Sequence, residues 1–224
     1  MKSIVISIGG SVILSEEADV SFLRKLASLL KKISKQYKIF IIVGGGKIAR
    51  DYIKLGRELD FDEKTLDSIG IDITRANAAI FANIINESNK KIPCSTDEAE
   101  AMDNPIVVMG GTTPGHSTDM VGAELAEKVG ADLFIIATNV DGIYDKDPNK
   151  YDDAKQLEKV KIDDLIKNYG TNWESAGKNM VIDGPALEIM KKAKLLTYVV
   201  NGKRLDQLEN AITGRSFDGT KILV

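Results

Sequence analysis

The 224-residue chain has one cysteine, one histidine, one tryptophan and five prolines, and aromatic residues make up only 6% of it. A lone Cys94 excludes an internal disulfide and fits a reducing cytosol. It follows Pro93 on a short strand-like segment with no histidine nearby, so it reads as a core or loop residue rather than a nucleophile. No apolar run approaches the roughly 20 residues that span a bilayer. The N-terminal Met1–Ile8 is too short and strand-like for a secretory signal, so a cytoplasmic protein with no membrane partner is expected. An excess of positive charge is also missing: 30 Lys and Arg against 33 Asp and Glu give a net charge of −3. A nucleic-acid groove normally leaves a basic face. The nearest candidates, Lys31-Lys32 and Lys191-Lys192, read as solvated faces or ends of helices, so nucleic acid is not an expected partner. No Gly-x-x-x-x-Gly-Lys-Ser/Thr run occurs, which excludes a P-loop enzyme.

What remains is ordinary for a globular domain of this length, with 43% hydrophobic and 28% charged residues. Apolar runs alternate with helical periodicity along the whole chain. Ile4–Ile8, Lys38–Val43, Pro105–Met109, Ala131–Ala137, Leu196–Val200 and Thr220–Val224 read as strands, most of them apolar enough to be buried on both faces of a parallel sheet. Helical patterns lie between them: one from Ser21, one from Lys47, one over Asp62–Ser88 with a break near Gly70, and one from Val121 with Thr118 or Asp119 as N-cap. Further helices are expected around Ile162–Lys167, Pro185–Ala193 and Leu205–Ile212. This alternation predicts an α/β fold with a mainly parallel sheet in a single domain.

Four strands run directly into unusual loops: Gly9-Gly10-Ser11, Gly44-Gly45-Gly46-Lys47, Gly110–Asp119 and Thr138–Pro148. In an open parallel sheet these loops share the C-terminal edge, where ligands bind. Glycine lets the backbone approach a phosphate oxygen and donate N–H bonds without a side chain. A site gripping several phosphates is therefore expected. Phosphoryl transfer needs in-line placement and cations. Lys47, Arg50 and Arg75 could supply fixed charge, and Asp119 or Asp141 could hold Mg²⁺ or orient a lysine. Each also has a plain structural reading, as a helix-surface charge, an ion-pair partner or a turn residue. Gly44-x-Gly46-x-x-Ala49 matches the loose dinucleotide fingerprint, but no acidic-ended second strand follows, which disfavours a dehydrogenase.

Five segments together resemble the amino acid kinase family, and within it the archaeal-type uridylate kinases. They are Ile8-Gly-Gly-Ser11, Val43-Gly-Gly-Gly-Lys-Ile-Ala-Arg50, Gly70-Ile-Asp-Ile-Thr-Arg-Ala-Asn77, Met109–Asp119, and Thr138–Tyr144 with Asp147-Pro148. The resemblance implies a three-layer αβα sandwich over 1–224, with an acceptor-nucleotide part over about 1–130 and an ATP part over about 131–224. It implies a homohexamer that moves the γ-phosphate of ATP to UMP with Mg²⁺. By similarity Gly10, Ser11, Gly46 and Arg50 would meet the ATP phosphates, and Thr138, Asn139, Tyr144 and Asp147 the ATP nucleoside. Gly45 would lie on the UMP side, Asp67 would hold the ribose hydroxyls, and Thr112, Thr113, Pro114, Gly115, His116, Ser117 and Thr118 would wrap the base and phosphate. Asp119 would organise cations at the transfer point.

One position departs from the pattern. Many members of that family carry a lysine two residues before the first glycine of the N-terminal loop, where this chain has Ser7. Lys47 is the nearest cation in sequence that could serve as the catalytic one instead. The departure leaves open a non-catalytic nucleotide-binding protein. A kinase for another small phosphate or carboxylate acceptor is also open, although isopentenyl phosphate kinases place a histidine where Val43 stands. His116 is not needed as a general base, because a phosphate acceptor is already ionised near neutral pH.

Overall fold

Uninterrupted β-branched runs in the sequence become the central strands of one seven-stranded sheet. The computed structural model describes residues 1–14, 19–146, 148, 150–169 and 182–224. In chain order the elements are β1 (Lys2–Ile8), α1 (Gly10–Ile13), α2 (Val20–Ile33), β2 (Tyr37–Val43), α3 (Gly46–Glu58), α4 (Glu63–Ile84), α5 (Thr96–Glu100), β3 (Ile106–Met109), α6 (Thr118–Lys128) and β4 (Leu133–Thr138). They continue with β5 (Lys159–Lys161), α7 (Ile162–Tyr169), α8 (Gly184–Ala193), β6 (Thr197–Asn201), α9 (Leu205–Thr213) and β7 (Thr220–Leu223). The sheet order is β3-β2-β1-β4-β6-β7-β5. Strands β3, β2, β1, β4 and β6 are mutually parallel, and β7 runs antiparallel to β6.

Alternation along β1 and β2 builds two cores. Ile4, Ile6, Ile8, Ile39 and Ile41 pack with Leu26 and Leu30 of α2, Phe81 of α4 and Leu208 of α9. Val5, Phe40 and Ile42 face the other way, with Val121 and Leu125 of α6 and Leu187 and Met190 of α8. Each fully buried side chain of this size contributes about 1.5–3 kcal/mol. Helices thus cover both faces, giving the expected αβα sandwich. Ser7 lies on the α6 face, almost fully buried at 2% exposure.

Several expectations change in detail. Helix α4 runs 22 residues through Gly70 without a break. A Cβ there would meet only Ile53 Cδ1, at 3.4 Å, and the modest cost of a helical glycine, about 1 kcal/mol, is outweighed by packing on both sides. The N-cap of α6 is Ser117, whose hydroxyl oxygen accepts the Met120 N–H at 2.9 Å, rather than Thr118 or Asp119. Cys94 is exposed and outside any strand.

Candidate active site

The parallel strands bring the four loops together because β3, β2, β1 and β4 are consecutive in the sheet. The chain moves one way from β1 to β2 and β3, then returns to place β4 on the other side of β1. The crevice therefore opens at a topological switch point. The first two loops interlock. A Cβ on Gly10 would stand 2.1 Å from Gly46 N and 2.5 Å from Gly44 O, and one on Gly46 would stand 2.8 Å from Gly10 C. Gly46 also has φ +66°, a left-handed value that suits glycine. These glycines are required by contact between two backbones as well as by any ligand.

Helix α4 is the strut behind the loops. Asn77 Nδ2 donates to Gly44 O at 3.0 Å and Gly45 O at 3.2 Å. Thr74 Oγ1 donates to Ile71 O at 2.6 Å and accepts the Gly111 N–H at 2.7 Å. Arg75 Nε donates to Gly111 O at 3.1 Å, and its Nη2 donates to Thr112 O at 2.9 Å. The guanidinium of Arg75 is thus spent on carbonyls of the third loop and is not a fixed charge for the transferred group. Two turns N-terminal to Thr74, the Asp67 Oδ2 accepts the Gly115 N–H at 2.7 Å.

A cleft of about 540 Å³ lies between these parts. Of the residues expected at the site, Ser11, Gly45, Gly46, Arg50, Asp67, Thr113, Gly115, His116, Ser117, Thr118 and Asn139 line it. Sequence reasoning missed Ile53, Ile71 and Thr74, which also line it. A signal existed: they face the same side of two helices as Arg50 and Asp67. Gly10 and Thr112 sit behind the wall, bonded or packed to it, and neither Pro114 nor Thr138 lines the cleft. Lys47 does not line it either. Its side chain is 49% exposed and its Nζ pairs with Asp51 Oδ2 at 2.9 Å, one turn along α3. Arg50, by contrast, reaches the cleft and has no hydrogen bond or ion pair among the described residues.

Asp119 opens α6 directly behind the cleft. Its Oδ1 accepts the Ser7 hydroxyl at 2.6 Å. Burial pushes its carboxyl up to about 7, partly offset by that Ser7 bond, with the charge of Asp183 adding to the rise. Although part of the Asp119 residue remains accessible, the carboxylate itself is closed in by α6, β1 and Asp183. Asp183 caps α8 by accepting the Ala186 N–H at 2.9 Å and also accepts the Ser117 hydroxyl. Asp141 has a different job. It accepts from Asn201 Nδ2 at 3.0 Å and pairs with Arg204, which removes it from the candidates for Mg²⁺. Tyr144, beside it, makes an isolated bridge to Gln156, and its phenol is pushed up by burial, then by Asp141 and Asp218. Asp147 lies outside the described residues.

This arrangement of a sheet-edge crevice and interlocked glycine loops coincides with a family match over residues 2–201. The chain belongs to the amino acid kinase family. A relative named uridylate kinase in Methanocaldococcus jannaschii is 44% identical, over 96% of this chain and 99% of its own length. Another of that name in Methanobrevibacter smithii is 40% identical over 98% of each. Among solved structures, uridylate kinase from Archaeoglobus fulgidus aligns with TM-score 0.87 and 41% identity, over 99% of this chain and 100% of that one. UMP kinase from Ureaplasma parvum aligns at TM-score 0.80 over 100% of this chain and 99% of its own, and at 24% identity it supports the fold alone.

Proposed function

We propose that this amino acid kinase is a uridylate kinase, moving the γ-phosphoryl group of ATP to UMP to give UDP and ADP. The observation that carries the reading is a cleft walled by Gly45-Gly46 and Arg50 on one side and Asp67 with Gly115–Thr118 on the other. That cleft sits in a chain 44% identical, nearly end to end, to a uridylate kinase. A non-catalytic nucleotide binder, left open by Ser7, is not favoured. The cleft holds a cation, Arg50, without a lysine at position 7.

Phosphoryl transfer needs positioning and charge more than covalent help. In this reading the backbone N–H groups of Gly45 and Gly46 and the Ser11 hydroxyl meet phosphate oxygens. Arg50 is the fixed cation at the transfer point, better situated than Lys47. Asp67 has already accepted Gly115 through Oδ2, and its other oxygen receives ribose hydroxyls. Thr113–Thr118 enclose the acceptor base, while Asn139, Thr138 and Tyr144 belong to the donor nucleoside. This reading takes the acceptor part as about 1–130 and the ATP part as about 131–224.

Mg²⁺ fits the same site. A desolvated carboxylate whose proton affinity is already raised, beside a second carboxylate, favours a cation, and Mg²⁺ is commonly held by one or two carboxylates plus substrate phosphates. Asp119 would hold it, with Ser7 orienting the carboxylate, and it would offset charge on the transferred group. Self-association, with the homohexamer as the expected form, is supported by an exposed apolar stripe. Ile48, Tyr52 and Leu55 lie on α3, with Leu59 and Phe61 just beyond it, each 44–56% exposed. A cytoplasmic location goes with ATP and UMP as substrates. UMP-dependent release of ADP from ATP is the direct test.

A further inference from the structure

His116, the only histidine, has no part in phosphoryl transfer as described above, yet its placement is specific. The ring lines the cleft. Its Nδ1 is turned into the protein, buried, with no hydrogen bond among the described residues. Glu124 Oε1 of α6 lies 3.3 Å from it. A ring nitrogen lone pair and a carboxylate oxygen repel at that distance, so the contact is stable only with the proton on Nδ1. A small rotation would then complete the bond. In a neutral ring with its proton on Nδ1 the other nitrogen, Nε2, is an acceptor, and no described residue bonds to it. With Nδ1 turned inward and the residue lining the cleft, the neutral ring would present Nε2 to a ligand as a hydrogen-bond acceptor.

An acceptor calls for a donor on the ligand. Ionised phosphate oxygens have none. A uridine nucleotide has donors at its ribose hydroxyls and at the imide N3–H of the base. The ribose hydroxyls suit Asp67, whose carboxylate accepts two donors and which is tied to Gly115, the residue just before His116. The imide is left for the histidine. We propose that Glu124 is a positioning residue that fixes the His116 imidazole, and that His116 Nε2 reads the N3–H of uracil. Cytosine carries a lone pair at N3 and would face the Nε2 lone pair, so the pair discriminates against cytidine nucleotides.

This inference rests on the uridylate kinase reading, and the experiment separates the two. Turnover of UMP and CMP is measured with ATP and Mg²⁺ for the wild type, His116→Ala, Glu124→Ala and Glu124→Gln. Losing one hydrogen bond that only the correct base makes changes kcat/KM by about tenfold or more. His116→Ala is expected to lower the UMP-to-CMP ratio of kcat/KM by about that factor, leaving KM for ATP within about twofold. Glu124→Ala should reproduce much of the loss, and Glu124→Gln, which can still accept from Nδ1–H, should restore most of it. If His116→Ala does not fold, His116→Gln carries the comparison, since its amide offers both donor and acceptor and should blunt the preference. Equal losses for UMP and CMP, or an equal rise in KM for ATP, would assign the ring to packing and overturn the proposal. A wild type that turns over no UMP would instead overturn the function.

Discussion

At Asp119 the desolvation that lifts the carboxyl to about 7 also sets how the fold responds to pH. A carboxyl bound more tightly to its proton in the folded than in the unfolded chain favours folding at low pH. That contribution is lost as pH climbs from the ordinary value of 3.8 to about 7, because the native state binds more protons over that window. Asp119→Asn should therefore melt higher than the wild type at pH 8, by a free energy on the order of a few kcal/mol, and show little difference near pH 4. Its turnover should fall even so, since the charge is gone. Parallel melting curves across pH for the two proteins would contradict the environment described for this carboxyl. At the same scale, Arg50→Ala should lower kcat by about a hundredfold and Lys47→Ala far less, as expected for removing one charge from a transition-state site. Steady-state kinetics of the two variants rank the cations, and the reverse order would return the role to Lys47.

The element that matters most for the site is α4, which touches no phosphate in this account but ties two loops to the fold. Arg75→Ala leaves the carbonyls of Gly111 and Thr112 without their donor, a loss of about 1–3 kcal/mol. Its UMP affinity is expected to fall about tenfold in calorimetry while the helix content holds, and unchanged affinity would remove α4 from this role. Periodicity made the strands and helices legible, because continuous apolar runs such as Lys38–Val43 allow little but a strand buried on both faces. Glycine clusters after those runs made the site's edge legible too. What the sequence could not convey is direction. Arg75 reads as a free cation, and only the fold turns it toward backbone carbonyls. Asp141 reads as a metal ligand until β6 brings Asn201, with Arg204 just after it, within reach. Ser7 looks like a missing lysine, whereas the burial of its side chain against Asp119 shows what it does instead.

Across the whole molecule, one sheet positions both halves of the site, and the exposed stripe from Ile48 to Phe61 runs along the helix that carries Arg50. Leu55→Glu is expected to shift light-scattering mass toward smaller species, and an unchanged mass would place the interface elsewhere. UMP as acceptor is the property that everything above depends on. With ATP and Mg²⁺ supplied, ADP release should depend on UMP and be far slower with CMP, AMP or GMP. Release that ignores UMP, or proceeds equally with a purine monophosphate, would contradict it.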